Sequence, residues 1–147
     1  MIVKRIMPAA RKRLVTVGAD APLLEAAILL GRTGVSLVVV CNGEGLIAGV
    51  LTKTDLVRHM SRCHGHACAD AASSIMTRDI TSCNPNDLLR AVWTLMKQDH
   101  RTHIPVVEDT GRPAGILNAK DVIEALMSEV EIEESLLRDC VMSVGYQ

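Results

Sequence analysis

The sequence predicts an α/β (α+β) protein made of one β-α-β-β-α unit that occurs twice. Three observations predict it. Four sequence blocks recur in the same order, 65 to 69 residues apart. Helical apolar spacing alternates with runs of β-branched residues inside each copy. Each copy has only about 60 residues and buries little surface alone. We therefore expect the repeats to pack through their sheets with pseudo-two-fold symmetry.

The recurring blocks divide the chain. Ile6-Met7 recurs as Ile75-Met76, and the run from Asp20 recurs from Pro85. The later blocks are Leu37-Val-Val-Val with Ile104-Pro-Val-Val, and Gly49-Val-Leu-Thr-Lys-Thr-Asp with Gly115-Ile-Leu-Asn-Ala-Lys-Asp. We predict repeat 1 over residues 1–61, a linker over 62–74, repeat 2 over 75–128 and a helical extension over 129–147.

The elements of the two copies follow the same order. The first copy reads as an extended stretch Leu14–Val17, a helix from Asp20 with Pro22 in its first turn, a strand Ser36–Val40, a turn Asn42–Gly45, a strand Ile47–Leu51 and a helix from Thr52. The second reads as Asp79–Ser82 extended, a helix start at Asn84-Pro85, a strand His103–Val107, a turn Asp109–Gly111, a strand Ala114–Leu117 and a helix from Asn118. The helix starts rest on cap-plus-proline signals, and the strands on β-branched residues.

The first helix of each copy has an apolar face at i, i+3, i+4 and i+7 spacing. In the first copy this face is Leu23, Ala26, Ala27 and Leu30, and in the second Leu88, Ala91, Val92 and Leu95. We expect these faces to lie on the sheets.

Composition excludes several classes of function. The chain has one Trp, one Tyr, no Phe and a net charge of −1, which argues against nucleic-acid binding by charge or by base stacking. No apolar run approaches the ~20 residues of a membrane span, and no secretory signal is recognisable at the start. Five cysteines without a disulfide spacing favour a reduced, cytoplasmic protein.

The run Gly49-x-x-Thr52-x-x-Asp55 has two interpretations. Thr-x-x-Asp is close to a capping box, in which the carboxylate returns to the backbone at the helix start. The same place also suits a ligand. A strand-to-helix turn offers free N–H groups to a phosphate, and a carboxylate there can accept hydrogen bonds from a ribose diol. Asn118-x-x-Asp121 repeats the element, so both interpretations stay open.

Taken together, these motifs from Ile6 to Met127 resemble a tandem pair of CBS domains, a Bateman module. The marks are the duplicated unit, Ile-Met at each head, the His103-Ile-Pro-Val-Val strand and Gly49–Asp55. The resemblance implies a regulatory, non-enzymatic module without a required cofactor. Its ligand would be an adenosyl compound (AMP, ADP, ATP, NAD or S-adenosylmethionine) bound between the repeats. It also implies a homodimer, and since the repeats fill the chain we expect a separate effector protein to receive the signal.

The resemblance also implies the site residues. Asp55 and Asp121 match the ribose-binding Asp, and Thr52 the hydroxyl residue beside it, where Asn118 stands in the second copy. The implied base walls are Val15 and Ile80, and the implied phosphate partners are Arg13, Arg78 and Lys120. His100, Arg101 and His103 precede the core strand of the second repeat, and we expect them in a loop at the cleft rim, either as plain loop residues or as contacts to a ligand phosphate. Since the Asp of one repeat faces the first strand of the other in such modules, we group Asp121 with Arg13 and Val15, and Asp55 with Arg78 and Ile80.

One cluster offers an alternative function. Cys63, His64, His66 and Cys68 lie close together after His59, and thiolate with imidazole suits Zn²⁺. The spacing matches no standard zinc motif, so a solvated linker competes with a metal- or redox-responsive module. A structural dimerisation module with empty clefts is the third alternative.

The charges are unevenly distributed. Residues 1–13 carry five basic residues, whereas residues 121–147 carry seven acidic residues and Arg138. The last segment has apolar positions at 4-3-7-4-3 spacing, namely Ile123, Met127, Val130, Leu137, Val141 and Val144. This spacing predicts a helix past the second repeat, interrupted at Glu134, which either covers its own domain or contacts a partner.

Overall fold

The computed structural model of the chain describes residues 1–62 and 69–145, with side chains through residue 142. Its helices are α1 (Met7–Arg13), α2 (Leu23–Leu30), α3 (Lys53–Arg62), α4 (Leu89–Gln98) and α5 (Ala119–Gly145). Its strands are β1 (Thr16–Gly18), β2 (Leu37–Cys41), β3 (Ile47–Thr52), β4 (His103–Val107) and β5 (Pro113–Asn118). The predicted mixture of helices and strands in two repeats is confirmed.

The strands form one sheet in each repeat. β1 pairs in parallel with β2, and β2 pairs antiparallel with β3; β4 and β5 form a second antiparallel pair. Leu37 pairs with Thr52 in the first sheet, and His103 pairs with Asn118 in the second. Equivalent strand positions in the two repeats are therefore 66 residues apart. The alignment of Leu37 with Ile104 in the sequence predicted 67.

The second repeat lacks a regular first strand within the described residues. The predicted extended stretch Asp79–Ser82 is not a strand, and only Cys83 pairs with Val106, in parallel. Asn84 ends this pairing because its side-chain oxygen accepts a hydrogen bond from the Asn86 N–H at 2.9 Å, which turns the chain.

The helix starts differ from the prediction. α2 begins at Leu23 with Pro22 as its N-cap, so Asp20 lies outside the helix, and α4 begins at Leu89 rather than near Asn84. Asn84 and Pro85 form the turn that precedes α4. The cap-plus-proline signals therefore marked turns a few residues before each helix.

The predicted face of α2 is confirmed apart from the half-buried Ala27, whereas of the predicted face of α4 only Val92 is buried. Leu23, Ala26 and Leu30 are buried on α2. On α4 the buried residues are Leu89, Val92 and Met96, while Leu88 is exposed. The buried residues of the two helices are again 66 positions apart, and the offset of 65 taken from the Leu-Leu pairs caused the error.

The head segment of each repeat packs on the opposite repeat. Met7 and Ala10 of α1 belong to the core of repeat 2, whereas Met76 belongs to the core of repeat 1. Glycines permit these crossings: a Cβ at Gly115 would lie 2.8 Å from the Ala10 carbonyl carbon, and one at Gly49 2.6 Å from Met76 Sδ. The repeats are thus interlocked.

A third apolar cluster joins the two sheets. Leu37, Val39, Val50 and Ile116 are buried in it, with Leu14 and Ile80 packed at its sides. The faces of the sheets that turn away from the helices therefore meet, and any cleft between the repeats lies beside this cluster. None of the described helices is long and apolar enough to cross a membrane.

Candidate functional site

Asp55 lies at the start of α3 and forms the capping box. Its Oδ2 accepts hydrogen bonds from the Thr52 N–H at 3.0 Å and from Thr52 Oγ1 at 3.2 Å, and the Asp55 N–H donates to Thr52 Oγ1 at 3.4 Å. Oδ1 has weaker partners, with Thr77 Oγ1 at 3.4 Å and Arg58 Nη1 at 3.9 Å. The capping-box interpretation of Thr52 and Asp55 is therefore confirmed, while Asp55 Oδ1 has only long contacts.

A cavity of about 540 Å³ opens beside Asp55, between the two repeats. We call it the Asp55 cleft. Its walls are Ser36, Leu37, Val50, Thr52, Lys53, Thr54, Asp55, Arg58, Thr77, Asp79, Ile80, Thr81, His100, Arg101, Thr102, His103 and Pro105. The volume lies in the range of about 300–1,000 Å³ that small-molecule sites occupy. Both repeats contribute walls, so a molecule bound there contacts both sheets.

The walls of the Asp55 cleft divide into an apolar and a cationic part. Leu37, Val50, Ile80 and Pro105 supply aliphatic surface without an aromatic ring. Three basic side chains line the cleft, Lys53, Arg58 and Arg101. Two carboxylates face them, so the lining carries a net positive charge. This arrangement suits a molecule with an apolar base and an anionic group.

His100 enters the cleft lining from a left-handed backbone conformation. Its φ is 53°, the one positive φ at a non-glycine residue in the described chain. The loop follows α4, with the Arg101 N–H donating to the Met96 carbonyl at 2.9 Å. The matching position in repeat 1 is Gly34, with φ of 85°. An imidazole thus occupies a place that favours glycine, at a cost in backbone energy.

The symmetry-related position around Asp121 has a different geometry, and we call it the Asp121 side. Arg13 Nη2 lies 2.5 Å from Asp121 Oδ2, which forms an ion pair. The approach is not aligned as a hydrogen bond: Asp121 Oδ2 and Arg13 Nη1 are both buried and lack a hydrogen-bond partner among the described residues. An internal guanidinium therefore occupies the carboxylate that a ribose would need.

His103 lies between the two sides. It lines the Asp55 cleft, while its Nε2 is 3.4 Å from Asn118 Nδ2 and its Nδ1 is 3.0 Å from Thr102 Oγ1. Burial lowers the pKa of His103 below its ordinary value, and the nearby Arg13 charge lowers it further. The neutral imidazole is favoured, so His103 is a hydrogen-bonding group rather than a cation.

Two predicted site positions are displaced by one residue. Leu14, not Val15, is the counterpart of Ile80 in the inter-sheet cluster, and Val15 packs on the core of its own repeat. Asp79, not Arg78, matches Arg13 and lines the Asp55 cleft. Arg78 is exposed, and its guanidinium donates to the Ser73 carbonyl at 3.4 Å. Sequence reasoning missed Arg58 as a cleft residue, whereas Arg101 was expected at the cleft rim and lines the cleft.

The remaining predicted residues lie on the Asp121 side. Lys120 is exposed, and its N–H donates to Asn118 Oδ1 at 2.7 Å, so Asn118 caps α5. Thr52 takes the corresponding cap position at α3. The phosphate role predicted for Lys120 stays a prediction.

The predicted metal cluster lies outside the described residues. Cys63, His64, His66 and Cys68 belong to that stretch, so the alternative that they bind a metal stays a prediction. His59, just before it, has its Nε2 2.8 Å from Asp70 Oδ2. Within the described chain no group of three or more His, Cys, Asp or Glu residues is arranged to hold a metal ion.

The model of the CBS domain family matches residues 3–62 and 72–128. The chain belongs to the CBS domain family. Among solved structures, a CBS-domain-containing protein from Agrobacterium tumefaciens is 31% identical with a TM-score of 0.71, over 84% of this chain and 92% of that one. The resemblance stated from the motifs is thereby confirmed, as is the fold class.

Two further solved structures share the fold and contain ligands. CBSX2 in complex with AMP is 22% identical, with a TM-score of 0.72, over 86% of this chain and 96% of that one. The CBS domain pair of protein MJ0100, in complex with 5′-methylthioadenosine and S-adenosyl-L-methionine, is 21% identical with a TM-score of 0.71, over 88% and 98%. At these identities the likeness shows the fold alone.

The chain is shorter than the curated relatives it matches. It spans 25% of an uncharacterised protein from Methanocaldococcus jannaschii, at 26% identity over 71% of this chain. It spans 33% of an arabinose 5-phosphate isomerase from Escherichia coli, at 29% identity over 74% of this chain. The chain therefore spans a quarter to a third of the length of these relatives.

Proposed function

We propose that this CBS pair binds a phosphorylated adenine nucleotide of the AMP type in the Asp55 cleft, one per chain, as a regulatory ligand. The observation that carries the proposal is the cavity of about 540 Å³ in which the Asp55 carboxylate faces an aliphatic wall and a cationic rim. AMP in the CBSX2 complex and adenosyl ligands in the MJ0100 complex support the ligand class.

Each part of an adenine nucleotide has a matching surface. The adenine fits the aliphatic wall of Leu37, Val50 and Ile80, with backbone groups supplying its hydrogen bonds. Asp55 Oδ1 accepts a hydrogen bond from the ribose diol in place of its long contacts, because Oδ2 is already held by the capping box. The phosphate meets Arg101 and Arg58 at the rim, where charge-assisted hydrogen bonds are strong.

The Asp121 side differs from the Asp55 cleft at the positions that would bind phosphate. At an offset of 66 residues, Arg58 is replaced by Glu124, His100 by Gly34 and Arg101 by Val35. Asp121 itself is paired with Arg13. These substitutions remove cationic groups and occupy the carboxylate, which supports one nucleotide per chain rather than two.

Binding there has a direct structural consequence. The walls come from both repeats, so a nucleotide stabilises the arrangement of the repeats in which both sets of contacts form. We propose that this shift carries the signal to a separate effector protein in the cytoplasm. The module itself supplies no catalysis in this proposal.

Thermal unfolding with AMP, ADP, ATP, NAD, S-adenosylmethionine and adenosine tests the ligand class. A ligand at about 100 times its Kd adds about 2.7 kcal/mol to the free energy of unfolding. We expect the largest Tm increase with a nucleotide and a much smaller one with adenosine, which lacks phosphate. Arg101→Ala should lower AMP affinity towards that of adenosine, with Arg78→Ala, an exposed arginine outside the cleft lining, as the matched control. No stabilisation by any of the six compounds at millimolar concentration contradicts the proposal.

A further inference from the structure

The second half of α5 projects beyond the body of the protein with apolar side chains in solvent. Leu137 and Val141 on one side of the helix are each about two-thirds exposed, and Ile132, Leu136 and Met142 on its other sides are more than half exposed. α5 has 27 residues, about 40 Å at 1.5 Å per residue. An isolated helical segment is marginally stable in water, because most helical stability in proteins comes from packing of an apolar face. This segment therefore needs a partner.

One stripe of α5 has the spacing of a coiled-coil seam. Its positions are Ile123, Met127, Val130, Glu134, Leu137 and Val141, separated alternately by four and three residues. This is the a/d pattern of a heptad repeat, with Met127, Glu134 and Val141 at a and the others at d. The helix is continuous through Glu134, so the charge interrupts the apolar stripe but not the helix.

The seam begins on the folded body. A groove of about 410 Å³ runs between α4 and α5, bordered by Trp93, Ile123, Leu126, Met127, Val130, Glu131 and Glu134. The first seam residues are thus the wall of this groove, and the same stripe continues onto the exposed half of the helix. A second helix laid along the seam covers both with one continuous contact.

Charges beside the seam select a second copy of this chain in parallel orientation. Glu133 is a g position and Arg138 the following e position. In a parallel pair, g of one helix faces the next e of the other, so two Glu133–Arg138 ion pairs form. Glu133 and Arg138 are five positions apart, which puts them too far round one helix to pair within it. An antiparallel pair would instead set Glu134 against an apolar seam residue in two layers, whereas the parallel pair confines it to one.

We propose that α5 pairs with α5 of a second copy as a parallel two-stranded coiled coil along this seam. The dimer is held by the apolar layers and oriented by the Glu133–Arg138 pairs. Glu134 meets its own copy in one layer and lowers the affinity. This association is independent of the nucleotide proposed for the Asp55 cleft.

Two neighbouring leucines provide a matched test. Leu137 lies in the seam and Leu136 outside it, although their exposures are nearly equal, 67% and 64%. We propose Leu137→Cys and Leu136→Cys, each in a Cys140→Ser background because Cys140 is exposed. In a parallel pair the two d positions lie close enough for a disulfide. We expect oxidation to link most chains of the Leu137→Cys protein and few of the Leu136→Cys protein. Equal linking of the two, or none above the background protein, overturns the proposal.

Charge reversal gives a second, independent readout. Glu133→Arg or Arg138→Glu alone should slow the Leu137→Cys crosslinking severalfold, and the double reversal should restore it. Analytical ultracentrifugation of the chain without cysteine substitutions should show that Glu134→Leu lowers the dissociation constant of the dimer at least tenfold. Failure of the double reversal to restore crosslinking excludes the parallel pair. Association with an unrelated protein, while this chain stays monomeric, assigns the seam to a different partner and also overturns the proposal.

Discussion

Replacing His100 with glycine is expected to make the protein more stable and its nucleotide binding weaker. His100 holds φ of 53°, a conformation that costs an L-residue roughly 1–2 kcal/mol. Glycine adopts it without that cost but gains roughly 0.5–1 kcal/mol of freedom in the unfolded chain. With the middle of each range, His100→Gly is about 0.75 kcal/mol more stable, a rise in Tm of about 1.5–3 °C for a chain of this size.

The matching position in repeat 1 supplies the reverse experiment. Gly34 has φ of 85°, and a Cβ placed on it has no atom within 4 Å. Gly34→Ala therefore changes the backbone conformational energy without a clash, and we expect it to lower the free energy of unfolding by about 1 kcal/mol.

Calorimetric unfolding and AMP titration measure the two effects together. We expect His100→Gly to raise Tm while weakening AMP binding severalfold, because the imidazole lines the Asp55 cleft. Gly34→Ala should lower Tm and leave the AMP affinity unchanged, since Gly34 does not line that cleft. A lower Tm for His100→Gly would refute the strain argument, and an unchanged AMP affinity would refute the role in the cleft.

Three further predictions concern packing, pH and thiol chemistry. Gly115→Ala should lower the free energy of unfolding by about 1–3 kcal/mol in denaturant titration, because the added Cβ would clash with the α1 backbone. An unchanged free energy would contradict the close packing of α1 on β5. Burial and the Arg13 charge lower the pKa of His103 in the folded chain, so the unfolded chain takes up the proton first as the pH falls. The free energy of unfolding should therefore decrease below about pH 6.5. His103→Gln should reduce this decrease, and an unchanged pH profile of stability would refute the role of His103. Burial, with Asp87, raises the pKa of the Cys83 thiol to about 12, so alkylation at pH 8, mapped by mass spectrometry, should modify Cys140 well before Cys83.

Much of the fold could be predicted because it depends on short-range patterns. Strand β4 was predicted with its observed ends, and the duplication, helix order and turns follow from periodicity and glycine. The errors came from register. The Leu-Leu pairs that begin at Leu23 and Leu88 suggested an offset of 65 residues. Leu89 is nevertheless the buried equivalent of Leu23, because the turns before α2 and α4 are equally long and Leu88 takes the N-cap place of Pro22.

The 66-residue offset between the repeats also determines which residues are equivalent at the two ligand positions. An offset one residue shorter made Arg13 and Arg78 equivalent, whereas the structure matches Arg13 with Asp79. One side therefore has a carboxylate where the other has a guanidinium. The packing of each head segment on the opposite repeat could not be predicted from the sequence either. It depends on the tertiary contacts at Gly49 and Gly115, where only a glycine leaves room for the neighbouring segment. Asp55 was found from sequence because its motif is local, while Arg58 and Arg101 come together only through the tertiary fold.

A calorimetric titration with AMP measures how many nucleotides each chain binds and which carboxylate holds them. We compare the unchanged chain with Asp55→Asn, which keeps a cap acceptor for the Thr52 N–H, and with Asp121→Asn as the matched control. We expect one AMP per chain, a loss of at least tenfold in affinity for Asp55→Asn, and little change for Asp121→Asn. Two AMP per chain, or a loss confined to Asp121→Asn, would contradict this expectation.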